Sequence, residues 1–207
     1  MMDHGLSGVR ARIHLWKREN NSVATTTSKP LPTVVTFLEM NTPPVKSFTR
    51  PMNINAALMG TKDIPLQFYR YLQYRVGGKW HWVARHRLSN DELSEIIHRE
   101  TTEIDVLYLD GVPSGFFEID RSNSKRVDLA YFGMMEHAIG RGLGKWFLAQ
   151  AIDAAWSSEP NSITVNTCTL DHPSALGLYQ KLGFQPIGRT ETEILPLTDD
   201  EMLATLK

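Results

Sequence analysis

The stretch Ile139-Gly140-Arg141-Gly142-Leu143-Gly144-Lys145 decides what this chain is expected to fold into and to bind. It follows a predicted strand and opens a predicted helix, where unpaired N–H groups and the helix dipole attract an anion. Glycine at alternate positions removes side chains that would keep the backbone from phosphate oxygens, and Arg141 and Lys145 add positive charge. The stretch therefore predicts a turn that binds a pyrophosphate.

The position of this turn disfavours the two commonest nucleotide-binding motifs. A dinucleotide fingerprint belongs in an early βαβ unit, with an acidic residue about 20 positions later. Here the turn follows three predicted antiparallel strands, more than halfway along the chain. It also lacks the Gly-x4-Gly-Lys-Ser/Thr pattern of a phosphate loop. Both kinds of nucleotide site are therefore disfavoured.

Hydrophobic periodicity on both sides of the turn predicts the remaining elements. Strands are expected at residues 34–40, 104–109, 115–120, 127–135, 162–170 and 185–195, and helices from residue 65, at 89–99, from the turn to about 157, and at 173–182. Ser89-Asn90-Asp91-Glu92 has the pattern of a capping box at the start of one helix. The order βααβββαβαβ, with no internal repeat, predicts a mixed α/β fold in which helices cover a sheet.

The composition is that of one ordinary globular domain, which residues 33–207 are expected to form. Residues 1–32, basic and then polar, are expected to be a flexible extension. The net charge of −1 gives no general reason to bind nucleic acid or an anionic membrane. No apolar run approaches the roughly 20 residues of a membrane helix. The single cysteine, Cys168, fits a reducing compartment, so a cytoplasmic protein is expected.

A second motif lies downstream of the glycine turn, in the run His172-Pro173-Ser174-Ala175-Leu176-Gly177-Leu178-Tyr179-Gln180-Lys181-Leu182-Gly183-Phe184. This run resembles the Asn-x-x-Ala-x-x-Leu-Tyr-x-x-x-Gly-Phe signature of the GNAT superfamily of acetyltransferases. The glycine turn aligns with that family's Gln/Arg-x-x-Gly-x-Gly/Ala motif without a gap. Ile139 replaces the usual Gln or Arg, and His172 replaces the usual Asn. Two motifs in the right order are nevertheless much more specific than either alone.

The resemblance, which covers roughly residues 34–195, implies both a fold and a co-substrate. The fold is a splayed, mostly antiparallel mixed sheet of about six to seven strands, flanked by helices. The co-substrate is acetyl-CoA, whose pantetheine arm pairs in this family with the strand before the glycine turn. The implied contacts are Phe132, Met134, Gly140, Arg141, Gly142, Leu143, Gly144, Lys145 and His172.

Three side chains are candidates for the chemistry, which needs a base for the amine and an acid for the leaving thiolate. The resemblance places Asp128 where some family members carry a catalytic Glu, and Tyr179 where the family has its proton donor. Glu118, in the apolar strand Phe116-Phe117-Glu118-Ile119, is the rival base. Each has a plain alternative, because the carboxylates could face solvent and Tyr179 could pack its helix onto the sheet.

The sequence thus predicts an N-acetyltransferase that transfers an acetyl group to a primary amine by direct attack in a ternary complex. The alternative is a non-catalytic sensor or structural module that binds acyl-CoA on the same fold. A covalent route through Cys168 is disfavoured because a lone strand cysteine is usually core, and no metal is implied because the histidines lack a metal-binding spacing. The aromatic residues between Tyr69 and Trp82 either wall the acceptor pocket or lie in the core. The acceptor stays unnamed, and a homodimer stays open.

Overall fold

The computed structural model describes residues 28–45 and 47–207, which contain seven strands and five α-helices. In chain order they are β1 (Leu31–Met40), β2 (Ala56–Gly60), α1 (Leu66–Gly77), α2 (Asn90–Ile97), β3 (Thr102–Leu109), β4 (Val112–Asp120), β5 (Arg126–Met134), α3 (Gly144–Trp156), β6 (Ser162–Cys168), α4 (Ala175–Lys181), β7 (Gln185–Ile194) and α5 (Asp199–Ala204). The predicted extension at residues 1–32 lies mostly outside the described residues. Its last two residues, Leu31 and Pro32, belong to β1.

The strands form one sheet in the order β2-β3-β4-β5-β6-β1-β7. β5 and β6 run parallel, and the other neighbouring strands are antiparallel. The predicted mixed α/β fold with a mostly antiparallel sheet of six to seven strands is therefore confirmed. None of the helices in the described part of the chain is long and apolar enough to cross a membrane.

Local sequence signals explain several element boundaries. Ser89 accepts a hydrogen bond from the Glu92 amide, and the Glu92 side chain accepts one from the Ser89 amide, so the predicted capping box starts α2. Asp110 and Gly111 have φ angles of 51° and 83°, which suit the tight turn predicted between β3 and β4.

The sequence interpretation missed β2 and α5. β2 has five residues without polar and apolar alternation, and its conformation depends on pairing with β3, from Ala56 opposite Leu109 to Gly60 opposite Asp105. α5 has six residues, too few for a periodic pattern, although the Thr198 and Glu201 capping box marks its start. The helix predicted at residues 173–182 begins later, at Ala175.

The two faces of the sheet bury separate hydrophobic clusters. Phe117 packs toward α3 with Phe147, whereas its neighbour Phe116 packs on the opposite face with Tyr69 of α1. Side chains alternate between the faces of a strand, so consecutive aromatic residues supply both clusters. Each fully buried Phe contributes about 2 kcal/mol of stabilisation.

A gap opens in the sheet between β5 and β6. Within the described ranges, their pairing runs from Arg126 opposite Ser162 to Asp128 opposite Thr164 and goes no further. Just beyond this point the β4–β5 register shifts, leaving Ala130 as an extra residue on β5. Such a bulge bends its strand and increases the local twist. β5 therefore diverges from β6, as the family resemblance implies for the strand before the glycine turn.

Candidate active site

A cavity of about 640 Å³ lies where β5 and β6 separate. Its walls come from both faces of the sheet, so it continues through the gap. On the α3 and α4 face it is lined by Gly140, Gly142, Gly144 and Lys145, which we call the glycine-turn side. On the α1 face it is lined by Trp80, Trp82, Tyr131 and Asp171, which we call the tryptophan side.

The glycine turn has the open backbone that anion binding requires. Gly140 and Gly142 have φ angles of 82° and 79°, in the left-handed region that other residues adopt at a cost. A Cβ atom at either position would meet no atom of the described residues within 4 Å, so these residues leave the space beside the turn open. α3 begins at Gly144 without a side-chain cap, and the first N–H groups of a helix have no partner within it. The turn can therefore present several N–H donors to an anion.

Most of the predicted cofactor contacts meet at this cavity. Phe132, Met134, Gly140, Gly142, Gly144, Lys145 and His172 all line it. Leu143 and Arg141 do not. The Leu143 side chain is fully buried in the core, and Arg141 lies 3.8 Å from the Asp110 carboxylate, which attracts its charge.

Beyond Asp128, the main chain of β5 is not paired with β6 in the described part of the structure. The Met135 amide donates to the Ser114 carbonyl across the β4–β5 ladder. Backbone groups of successive residues alternate between the two edges of a strand, so those of Phe132 and Met134 point away from β4. They face the gap that β6 has left.

Tyr179 lies on α4 and reaches the cavity from the glycine-turn side. Its ring is almost fully buried, between Phe132 at 6.3 Å and Phe184 at 5.9 Å. Within residues 28–45 and 47–207, its hydroxyl has no hydrogen-bond partner. Burial and the negative charge of Asp171 raise the pKa of Tyr179, so the hydroxyl keeps its proton at neutral pH.

The two candidate bases occupy different environments. Asp128 lies at the vertex of the gap, where it lines the cavity and accepts a hydrogen bond of 2.8 Å from the Thr164 hydroxyl. Glu118 does not line the cavity. It is 1% exposed, pairs with Arg85 at 2.8 Å and accepts a hydrogen bond from the Tyr69 hydroxyl. The solvent-facing alternative for Glu118 is therefore wrong, because α1 covers that face of β4.

The tryptophan side is joined to the end of β6 by Asp171, a residue that sequence reasoning missed. The indole N–H of Trp82 donates to the Asp171 carboxylate at 3.1 Å. The same carboxylate accepts from the Thr167 hydroxyl at 2.7 Å and from the Cys168 amide at 2.8 Å. The only sequence signal for Asp171 is its place immediately before the second motif.

His172 lies at the cavity, and the aromatic residues between Tyr69 and Trp82 are divided between the cavity and the core. The His172 ring contacts Trp80 at 5.3 Å, and its Nδ1 accepts from the Ser174 amide at 3.1 Å. Trp80 and Trp82 line the cavity, as expected for a pocket wall. Tyr69 is instead fully buried in the core. The aromatic stretch therefore contributes to both.

Cys168 also lines the cavity but is a poor nucleophile. Its burial and the charge of Asp171 raise the pKa of the Cys168 thiol to about 11, so the reactive thiolate is scarce at neutral pH. Across the described residues, no group of three or more His, Cys, Asp or Glu side chains is placed to hold a metal ion.

Comparison with known proteins gives a consistent result. The model of the acetyltransferase (GNAT) family matches residues 69–184, more than half of the chain. A GCN5-related N-acetyltransferase from Sphaerobacter thermophilus superposes with a TM-score of 0.57 at 14% identity, over 92% of this chain and 58% of that one. A putative GNAT acetyltransferase from Novosphingobium aromaticivorans gives 0.53 at 16% identity, over 85% of this chain and 71% of that one.

A tandem GNAT protein from the clavulanic acid biosynthesis pathway also superposes, with a TM-score of 0.53 at 13% identity, over 95% of this chain and 61% of that one. At such identities these structures show the fold alone. The chain spans well under two thirds of the length of the Sphaerobacter protein. No match was found among curated proteins.

Proposed function

The chain belongs to the GNAT acetyltransferase family, and on that basis we propose that it is an acetyl-CoA-dependent N-acetyltransferase that acts on a primary amine. The observation that carries the proposal is the cavity at the β5–β6 gap, which is lined from both faces of the sheet. It joins an anion-binding turn on one face of the sheet to an aromatic pocket on the other. A two-substrate transfer needs such a passage, because both reactants must reach one point from separate sites.

The described residues fit acetyl-CoA. The glycine turn offers N–H donors and Lys145 to a pyrophosphate, and the space that a Cβ would fill at Gly140 and Gly142 is open. The main chain of Phe132 and Met134, which is not paired with β6 among the described residues, would bind the amides of the pantetheine arm. Bound acetyl-CoA supplies an acetyl group activated as a thioester.

Asp128 and Tyr179 are the proposed base and acid. Asp128 would take a proton from the acceptor ammonium through a water molecule, which leaves a neutral amine. The amine nitrogen then attacks the carbonyl carbon, so the new N–C bond forms as the C–S bond breaks. The nitrogen loses its second proton to solvent as the amide forms, and solvent later returns a proton to the Tyr179 oxygen. The Tyr179 hydroxyl, which has no partner among the described residues, would donate its proton to the departing sulfur. Glu118 does not act as the base in this proposal, because its carboxylate is buried and is bonded to Arg85 and Tyr69.

Direct attack in a ternary complex is favoured over a covalent relay. A relay would need a nucleophilic side chain at the gap, and the Cys168 thiol is held in its protonated form. The passage through the sheet instead allows both reactants to be bound together.

The test is calorimetric titration with acetyl-CoA, followed by a free-thiol assay across a panel of primary amines. Binding together with thiol release on at least one amine is the expected result. Binding without release on any amine would favour a non-catalytic acyl-CoA sensor. Absence of binding would remove the proposal altogether.

A further inference from the structure

Two side-chain contacts close the tryptophan side of the cavity. Trp82 reaches across to Asp171 through its indole N–H, and Trp80 packs edge-on against His172 at 5.3 Å. Both contacts join the segment after α1 to the segment between β6 and α4. A polypeptide acceptor needs a continuous groove, whereas these two contacts span the tryptophan side and interrupt it.

The position of Trp82 is built into the backbone on both sides of it. A Cβ atom at Gly77 would lie 2.3 Å from the Trp82 ring, and one at Gly133 would lie 3.2 Å from it. The ring rests between these two glycines and lies 5.2 Å from the Tyr131 ring. The Trp82 and Tyr131 rings, together with Trp80, give the pocket flat aromatic walls, which favour a flat apolar ligand.

The charges of this pocket favour a cation over an anion. Three carboxylates line it, from Asp120, Asp128 and Asp171. Its one arginine, Arg85, is neutralised by Glu118 at 2.8 Å and lies over the Tyr131 ring at 5.3 Å. His81 and His172 also belong to this wall, and the two lysines of the described cavity lining, Lys145 and Lys181, come from the glycine turn and from α4 on the other face. An ammonium group would be attracted here, and a carboxylate on the same ligand would be repelled.

We propose that the acceptor is a small arylalkylamine without a carboxylate, and that Asp171 is a positioning residue that holds the Trp82 wall of its site. This rests on the proposed acetyltransferase function. The aromatic ring of the acceptor stacks on Trp80 and Trp82, while its ammonium group points toward Asp128 at the gap. Asp171 acts through Trp82 and not on the reacting atoms.

The first experiment separates binding from catalysis. 2-Phenylethylamine is titrated into the protein saturated with CoA, which cannot react, and the same amine is then assayed with acetyl-CoA. We expect 2-phenylethylamine to bind at least about tenfold more tightly than phenylalanine, which adds a carboxylate, or butylamine, which lacks the ring. Equal or weaker binding of 2-phenylethylamine would overturn the acceptor assignment. Tight binding without thiol release would instead overturn the proposed function and leave the site assignment standing.

The second experiment tests Asp171. Trp82→Phe keeps a ring but loses the N–H donor, and Asp171→Asn disrupts the same hydrogen bond. Each should weaken 2-phenylethylamine binding about fivefold. The Asn oxygen can still accept from the Thr167 hydroxyl and the Cys168 amide while its NH2 group faces Trp82, so the double variant should weaken binding by less than the product of the two single effects. Acetyl-CoA affinity should not change, which also shows that the variants fold.

Two further variants keep this test decisive. Trp156→Phe removes an indole N–H that contacts the Met40 sulfur at 3.4 Å, away from the cavity, and should bind 2-phenylethylamine normally. Trp80→Ala, at a partly exposed position outside the two core clusters, should weaken binding even if Asp171→Asn does not fold. Fully additive effects of Trp82→Phe and Asp171→Asn would overturn the positioning role.

Discussion

The two sides of the cavity are built in different ways. The glycine-turn side consists of consecutive residues, and its binding groups are main-chain N–H donors shaped by Gly140 and Gly142. The tryptophan side consists of side chains brought together from distant parts of the chain, such as Trp82 and Asp171. Its groups are held by other side chains, as Arg85 is held by Glu118.

This difference determines how each side responds to substitution. A main-chain site tolerates most changes in its neighbours but fails when a side chain enters the space beside the turn. A side-chain network fails when one member loses its partner, even if the volume is unchanged, because a buried polar or charged group is then left uncompensated. The following predictions test this contrast.

The largest effect is expected from Gly142→Asp on the glycine-turn side. The substitution forces a non-glycine residue to a φ of 79° and places a carboxylate where the pyrophosphate would bind. We expect acetyl-CoA affinity to fall by about a thousandfold or more in a calorimetric titration. Gly111→Asp is the matched control, because Gly111 has a φ of 83° and open surroundings outside the cavity. Unchanged affinity in Gly142→Asp would remove the site assignment.

The next largest effect is expected from Glu118→Gln behind the tryptophan side. The variant removes the carboxylate that pairs with the buried Arg85 guanidinium, which should lower the free energy of unfolding by about 3 kcal/mol. Acetyl-CoA affinity should stay normal, since Glu118 is not part of the glycine-turn side.

Urea unfolding would measure this loss, with Glu136→Gln as the control. Glu136 pairs with Lys79 at 3.2 Å, but both side chains are mostly exposed, so breaking that pair should change stability very little. If Glu118→Gln is as stable as the control but loses turnover, Glu118 is the base and Asp128 is not.

Tyr179→Phe tests the point where the two sides meet. The ring packing against Phe132 and Phe184 is retained, so folding and acetyl-CoA affinity should be preserved. Loss of the proton donor should lower kcat about a hundredfold, as removal of a general acid commonly does. A kcat equal to that of the original chain would reduce Tyr179 to a packing residue.

The same contrast explains how much the sequence could predict. The glycine turn, the capping box at Ser89 and most strands follow from consecutive residues, whose local preferences the fold keeps. Asp171 could not be found in this way, because its role depends on Trp82, which lies 89 positions away. The burial of Glu118 likewise depends on α1, which covers one face of β4.

The last effect is expected from His86, which follows Arg85, and it is confined to acid pH. His86 is buried, and its Nδ1 lies 2.8 Å from the Thr205 hydroxyl. Burial and the nearby charge of Arg70 lower the pKa of His86 from 6.5 to about 4. Between these values the unfolded chain binds a proton that the folded protein does not. The free energy of unfolding should therefore fall as the pH drops from 6.5 to 4, by about 3 kcal/mol at most.

Thermal or urea unfolding at a series of pH values would isolate this contribution. In His86→Gln the free energy of unfolding should fall less steeply between pH 6.5 and 4, whatever the effect of the substitution on stability at pH 7. Asp105 gives a contribution of opposite sign, because burial and the charge of Glu103 raise the pKa of Asp105 to about 6. Between pH 3.8 and 6 the folded protein then holds a proton that the unfolded chain has lost. In Asp105→Asn the free energy of unfolding should therefore fall more steeply as the pH drops through this range. Identical pH dependence in the original chain and His86→Gln would show that His86 is not held neutral by the fold.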